Sequence, residues 1–405
     1  INMHDKVPLL QNEKQNWEFF LGIPEMDRTQ INLNTVKGTQ FLQPLFEFSG
    51  ACSGCGETPY LKLLTQLFGD RMIVANATGC SSIFGGNLPT TPWSMNNDGK
   101  GPAWANSLFE DNAEFGLGIK LATDKKREVA MHLLKQLRNE VGAELTDSIL
   151  AAHETSEAEI RDQRNRITVL KKILPSIEAL LAEKLLHLAD YLSSKSIWII
   201  GGDGWAYDIG FGGLDHVLST GENVNIFVLD TEVYSNTGGQ KSKASPRGAS
   251  AKFSINGKTT VKKDLAWQAI AHNKAYVAQV ALGANDVQAL RTIREAEAFP
   301  GPSLIIAYAH CIAHGYDMCN GASHQQTAVK AGYWPLFRYN PLKPKGERFL
   351  LDSKEPTVPL GEFLYNENRF SVIKANDPNL AEMFLHEAES EMKDKWERLM
   401  TLKNL

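Results

Sequence analysis

The sequence predicts an α/β fold: an open sheet, mostly parallel, with helices on both faces and a helical hairpin inserted into it. Three observations lead there. Short apolar runs at 196–200, 224–229, 276–281 and 303–308 alternate with helix-length segments at 211–219, 263–273, 286–298 and 324–331, the pattern of a parallel sheet covered by helices. The runs are rich in Ile, Val and Leu with little polar alternation, as strands buried on both faces require. Glycines and oxygen-bearing side chains gather just after the runs, where open parallel sheets carry their functional loops.

Taken in order, residues 1–48 are polar and irregular, with one short amphipathic candidate at 17–21, and read as an arm or linker. The main unit is expected over 49–342. Within it, Tyr60, Leu61, Leu63, Leu64 and Leu67 fall at helical spacing over 58–68, and 72–75 is a short buried strand. Residues 85–101, rich in Asn, Pro, Thr and Gly, predict a long ordered loop or lid. The charged region 123–194 repeats Val129, Leu133, Leu134 and Leu137 on one face, breaks at Pro175 and resumes at 177–192. It predicts a helical hairpin on the core, a coiled-coil arm being the alternative. The basic, aperiodic segment 240–257 is either an anion-binding loop or a plain solvent loop. Residues 343–405 form a C-terminal extension ending in an amphipathic helix near 380–400.

Composition sets limits. With 405 residues, 43% hydrophobic, 22% charged and a net charge of −5, the chain reads as a soluble, cytoplasmic protein without a polycationic surface for nucleic acid. No apolar run approaches the ~18 residues of a spanning helix, and the first residues lack the order of a signal peptide. A start at Ile1 suggests a piece of a longer or processed polypeptide, with Met3 as a true start the alternative. Five cysteines in such a chain point to metal or redox chemistry before disulfides.

Two constellations carry chemistry. The first runs from strand 196–200 into Gly201-Gly202-Asp203-Gly204-Trp205, and from strand 224–229 into Asp230-Thr231-Glu232-Val233-Tyr234-Ser235-Asn236-Thr237. Parallel strands delivering oxygen donors at their C-terminal ends build a site for a hard divalent cation holding a diphosphate. Asp203 would bind by its carboxylate, Thr231 by its hydroxyl and Val233 by its carbonyl, while Gly202 and Gly204 let the backbone approach phosphate oxygens. The triplet alone suits an ordinary βαβ turn. Both halves together resemble the thiamine diphosphate signature, with Thr where Asn is more frequent. Magnesium is the implied cation, and Trp205, Asn236, Thr237, Cys80 and Ser81 join the expected cofactor-binding set.

The second constellation is Cys52-Ser53-Gly54-Cys55 with Cys80 and Cys311, each near a loop or strand end. Four thiolates suit zinc or a 4Fe–4S cluster. One C-x-x-C with two scattered partners fits an embedded cluster better than a local zinc clip, and unrelated buried cysteines remain the plain alternative. Cys319 reads as a free core thiol.

With both in view, the chain resembles the C-terminal region of pyruvate:ferredoxin (flavodoxin) oxidoreductase. The matching stretches are 45–60 around the C-x-x-C and Glu57, 76–82 around Cys80, 101–112, 201–240 and 309–315, and the likeness spans about 35–342 and more weakly both ends. The resemblance implies Cys52, Cys55, Cys80 and Cys311 as ligands of a 4Fe–4S cluster, Asp203, Thr231 and the Val233 carbonyl as ligands of Mg²⁺, and Asn236 as the catalytic side chain facing the reacting carbon. It implies oxidative decarboxylation of pyruvate with coenzyme A, electrons leaving one at a time through the cluster to ferredoxin or flavodoxin, in a homodimer. The activating Glu, the substrate-binding Arg and two further clusters would come from other domains or subunits. Glu57 is a local stand-in for that Glu, but its place beside the C-x-x-C favours a structural role. A non-redox thiamine decarboxylase or transferase and a non-catalytic cofactor-binding subunit are the competing readings.

Overall fold

The computed structural model describes residues 3–87, 91–107 and 110–404. Parts of the expected loop 85–101 (88–90) and of the matching stretch 101–112 (108 and 109) lie outside the described residues.

One eight-stranded sheet organises the chain: β1 (Met72–Asn76), β2 (Ala103–Asn106), β3 (Ser196–Gly202), β4 (Asn225–Asp230), β5 (Tyr276–Val280), β6 (Ser303–Tyr308), β7 (Phe337–Tyr339) and β8 (Phe349–Leu351), in spatial order β2-β1-β3-β4-β6-β5-β7-β8. The first six strands pair parallel, and β7 and β8 add an antiparallel edge. The four strands expected between 196 and 308 are present within a residue or two. The short β2, β7 and β8 were not anticipated, because three or four residues carry too little periodicity to stand out from loop.

The two faces of the sheet feed two cores. Ile197, Ile199, Ile226 and Val228 point into one, and Trp198, Ile200, Phe227 and Leu229 into the other. That is the period-2 alternation of a strand with apolar residues at every position. Trp198 is fully buried, stacked on Phe68 at 5.7 Å, with its indole N–H donated to Ser196 Oγ at 2.7 Å.

The insertion is more than a hairpin. A helix from Asn112 to Gln136 starts on the sheet and runs out to meet helices Arg138–Val141, Ala143–Leu150, Glu157–Ile173 and Leu180–Leu188. These enclose a separate apolar cluster around Leu134, Leu170 and Leu185. Leu133, Leu134 and Leu137 face that cluster as expected, whereas Val129 is 38% exposed. The buried amide of Gln163 ties the bundle by donating to the Ile149 and Leu192 carbonyls, each at 3.1 Å. In the N-terminal arm the helix extends over Leu10–Leu21, longer than expected, and buries none of its side chains. The C-terminal helix, Pro378–Asn404, packs on Asn368–Asn376 and on β8.

Among the described residues no helix is long and apolar enough to cross a membrane. Replacing Trp198 with Ala should cost about 3–5 kcal/mol, measured as a lowered denaturant midpoint; an unchanged midpoint would mean that the sheet does not pack through this ring.

Candidate functional site

The β3–β4 register sets Gly202 opposite Leu229, so Asp203 and Thr231 emerge side by side at the carboxyl end of the sheet. Thr231 Oγ1 lies 2.9 Å from Asp203 Oδ1 and 3.1 Å from the Val233 carbonyl oxygen. The three predicted ligands therefore converge, as an all-oxygen donor set for a hard cation. Between Thr231 and Val233, Glu232 adopts φ 61°, a left-handed conformation that costs a residue with a side chain about 1–3 kcal/mol. This turn directs a side-chain oxygen and a main-chain oxygen from residues two apart to one point.

The second Asp203 oxygen accepts from Ser242 Oγ at 2.6 Å. Ser242 belongs to the basic segment 240–257, which is neither a bare solvent loop nor simply an anion cradle. Its Ser242, Ala244 and Ser245 are buried, and Lys258 Nζ holds it by donating to Ser245 O at 2.6 Å and to the Lys243 and Val261 carbonyls at 3.3 Å. Burial, reinforced by the Asp230 charge and opposed by Ser242, pushes the Asp203 carboxyl up to about 7. A group in that state gains most from a cation beside it.

Asp203 opens on a cavity of about 200 Å³ that includes Glu57, Gly79, Cys80, Trp205, Tyr234 and Asn236 in its walls. A Cβ on Gly202 would meet no atom nearer than 3.9 Å, so this glycine leaves open room beside Asp203. Gly204 serves differently from expectation: a Cβ there would sit 2.3 Å from Tyr234 Cε1, so its glycine admits the Tyr234 ring. The chain then widens into a π-helical turn over Gly204–Ile209, with Gly210 N–H donated to Trp205 O at 2.9 Å, a local form frequent at functional sites. Asn236 and Thr237 are exposed on the lip of the cavity. Ser81 is turned inward, its hydroxyl accepting from Asn76 Nδ2 at 2.9 Å. The volume is below the roughly 300–1,000 Å³ of a complete small-molecule pocket, as suits one wall of a shared site. A larger cavity of about 920 Å³ lies beneath the C-terminal helix, reaching Glu232 and Lys262 but neither Asp203 nor the predicted cysteines.

Of the predicted cysteines, Cys80 lines this cavity. Cys80 follows β1 and lies 3.2 Å from Ser235 Oγ, while Cys311 follows β6. The C-x-x-C loop is fastened to the end of β6 by His310, whose Nδ1 receives Gln325 Nε2 at 2.9 Å and whose Nε2 donates to Gly54 O at 2.9 Å. Burial, with the Glu57 charge next, pushes the Cys55 and Cys80 thiols up to about 12. Burial lifts Cys311 to about 11, and its field reaches Cys55 and Cys80 while that of Cys52 reaches it. Backbone N–H groups of Glu57 and Ala313 point at Cys55 Sγ and Cys311 Sγ at 3.5 and 3.4 Å, contacts of the kind that tune iron–sulfur centres. Among the described residues no group of three or more His, Cys, Asp or Glu could hold a single metal ion. Cys319 is exposed, not a core thiol; the core-thiol expectation failed because it sits in a short turn against Gly54 rather than on a buried face.

Glu57, read from the sequence as structural, is one of several further groups around the site, and sequence reasoning missed the others. Glu57 is wholly buried, one of its oxygens has no partner, and burial with the Asp203 charge pushes it up to about 8. Beneath the metal ligands, Glu232 accepts from Lys262 at 2.9 Å, Tyr333 at 2.7 Å and Arg369 at 2.7 Å. Burial raises its carboxyl, but Lys262 and Arg369 outweigh that and bring it down to about 2. His314 Nε2 meets the Thr231 carbonyl at 2.7 Å. The signal for these was faint: a Glu inside a motif of oxygen ligands, and cations with no local partner.

Comparison with known proteins accords with this geometry. Residues 179–307, which carry both halves of the β3–β4 site, match the family described as thiamine pyrophosphate enzyme, C-terminal TPP binding domain. More particularly, the chain is 56% identical over 98% of its length to the pyruvate-flavodoxin oxidoreductase of a Nostoc species. It is 54% identical over 99% to that of Rhodospirillum rubrum, and 51% identical over 96% to the pyruvate:ferredoxin oxidoreductase of Moorella thermoacetica. It spans about a third of each relative's length, 34% in all three. The resemblance read from the sequence thus covers nearly the whole chain, not chiefly 35–342.

The raised Asp203 pKa has a sign. A carboxyl whose folded pKa lies above its unfolded value contributes stability at low pH and loses it as pH rises through about 7. In chelator-treated protein, Asp203→Asn should therefore gain on the wild type by about 1 kcal/mol between pH 6 and 8. A pH-independent difference in unfolding free energy would show that Asp203 is not held protonated.

Proposed function

We propose that this chain is the thiamine diphosphate-binding and electron-releasing part of a pyruvate oxidoreductase that reduces flavodoxin or ferredoxin. The observation that carries the reading is the convergence of Asp203 Oδ1, Thr231 Oγ1 and Val233 O beside a cavity whose other wall is Cys80 and Glu57. The names and closeness of the relatives support the substrate, pyruvate, and the acceptor.

Asp203, Thr231 and Val233 would hold Mg²⁺, and Gly202 leaves room beside them for a diphosphate. Cys52, Cys55, Cys80 and Cys311 would hold a 4Fe–4S cluster; one C-x-x-C with two scattered partners suits an embedded cluster better than a local zinc clip. Thiamine diphosphate bound here would supply a carbon nucleophile for a 2-oxoacid ketone and an electron sink, and a cluster at the four thiols would supply one-electron acceptance. The protein's own part is positional. Ser242 fixes one Asp203 oxygen and leaves the other for the cation, Asn236 and Thr237 stand at the lip where substrate enters, and Glu57 keeps a buried proton between the two halves. Coenzyme A, the activating Glu and the acceptor docking surface are assigned to the two thirds of the relatives' length outside this chain. The main unit at 49–342, with its insertion at 123–194, is the portion that does this work.

Anaerobically isolated protein should carry about four irons per chain with matching sulfide; a zinc-loaded, iron-free protein would refute the cluster. Asp203→Ala should abolish Mg²⁺-dependent thiamine diphosphate binding while iron content is kept. Cys52→Ser should do the reverse, removing iron and pyruvate-dependent flavodoxin reduction. Loss of both cofactors in either folded variant would show that the two sites are one. Aldehyde release from pyruvate without an acceptor would favour a non-redox decarboxylase.

A further inference from the structure

We infer that Arg369, delivered by the C-terminal extension, is a positioning residue for the metal–diphosphate site and acts through Glu232. The inference rests on the metal-ligand reading above and extends it to a residue 137 positions away in sequence from Glu232.

Glu232 is held at every polar group it has. Its N–H donates to Asp230 Oδ1 at 3.1 Å and its carbonyl accepts from Ser245 Oγ at 2.6 Å. One carboxylate oxygen accepts from Lys262 at 2.9 Å, the other from Arg369 at 2.7 Å, and Tyr333 donates to both at 2.7 Å. Such locking is what a non-glycine residue at φ 61° requires, since the left-handed conformation persists only where the surroundings over-determine it. Relaxation to an ordinary φ would swing the 232–233 peptide and draw the Val233 carbonyl away from Thr231 Oγ1, now 3.1 Å apart. The clamp on Glu232 and the convergence of the metal ligands are therefore one device.

Arg369 is its distant part. Lys262 is shared with Asp230 at 2.9 Å, and Tyr333 is uncharged. Arg369 is a buried cation between Glu232 and Glu367, bonded to the latter at 2.6 Å, and Glu367 is met by His324 Nε2 at 2.7 Å. Losing the guanidinium leaves a buried carboxylate oxygen of Glu232 without its charged donor. Groups standing behind metal ligands typically set about 10- to 100-fold of the affinity.

The test is calorimetric titration of Mg²⁺ into the complete protein at saturating thiamine diphosphate. Arg369→Met should weaken Mg²⁺ binding about 10- to 100-fold, and Arg369→Lys, which keeps the charge, should recover part of that loss. Arg247→Met is the control: Arg247 ties the same extension through Glu387 at 2.8 Å and Glu391 at 2.6 Å without touching Glu232. It should lower the thermal midpoint yet leave Mg²⁺ affinity within about twofold of the wild type. If Arg369→Met binds Mg²⁺ as the wild type does, or Arg247→Met weakens it equally, Arg369 merely docks the extension and the proposal fails. Should Arg369→Met not fold, Tyr333→Phe removes a neutral donor from the same carboxylate; unaltered Mg²⁺ affinity there overturns the idea as well. A wild type that binds no Mg²⁺–thiamine diphosphate would instead defeat the site assignment itself.

Discussion

The structure turns on a buried carboxylate held in place before any cation reaches it. Asp203 leaves the end of β3 with 1% of its surface exposed, its two oxygens engaged by Thr231 and Ser242. Keeping an acidic group there is costly, and the surrounding architecture can be read as what makes it tolerable. The β3–β4 register supplies Thr231, the 240–257 loop supplies Ser242, and Lys258 braces that loop through three carbonyls. These contacts hold the Asp203 and Thr231 oxygens in one fixed arrangement.

Below it lies a second layer, made of charge rather than apolar packing. Asp230, Glu232 and Glu367 are fully buried acids interleaved with Lys262 and Arg369. A network of this kind is weak evidence for added stability, since apolar residues of similar shape often do as well. Its value is specificity of geometry. Glu232 stays left-handed because cations and a tyrosine hold its side chain, and the Thr231 hydroxyl and Val233 carbonyl on either side of it point together.

Much of this was readable in the residues, for identifiable reasons. β3 to β6 are continuous apolar runs ending in turn residues, and that signal survives without knowledge of partners. Asp203, Thr231 and Val233 were singled out because metal ligation needs specific atom types at the ends of adjacent strands, and the fold brings their oxygens together. What stayed hidden depends on contacts across long loops. Ser242 is one serine among several in a basic stretch, and only the folded loop puts its hydroxyl on Asp203. Arg369 lies in a polar C-terminal segment with no periodic feature to single it out. Gly204 was assigned to phosphate approach when its space is taken by Tyr234, a ring 30 residues on that the motif gave no reason to place there. Cys319 was misjudged since thiols are buried so often that exposure in a short turn runs against the prior.

Glu57 joins the two halves of the site electrostatically. Its charge raises Cys55, Cys80 and Cys311, while the Asp203 charge raises both Glu57 and Cys311. All of these acids share one poorly solvated region, so each ionises at the expense of the others. Positive charge seated at Asp203 therefore eases deprotonation of Glu57 and the thiols, and iron at the thiols eases ionisation of Asp203. Reciprocity follows from linkage: whatever free energy one cofactor lends to the other's binding is returned in equal measure. Asp203, Glu57 and the thiols, brought together from β1, β3, β4 and β6, are thus coupled electrostatically around a carboxyl that has one unpartnered oxygen.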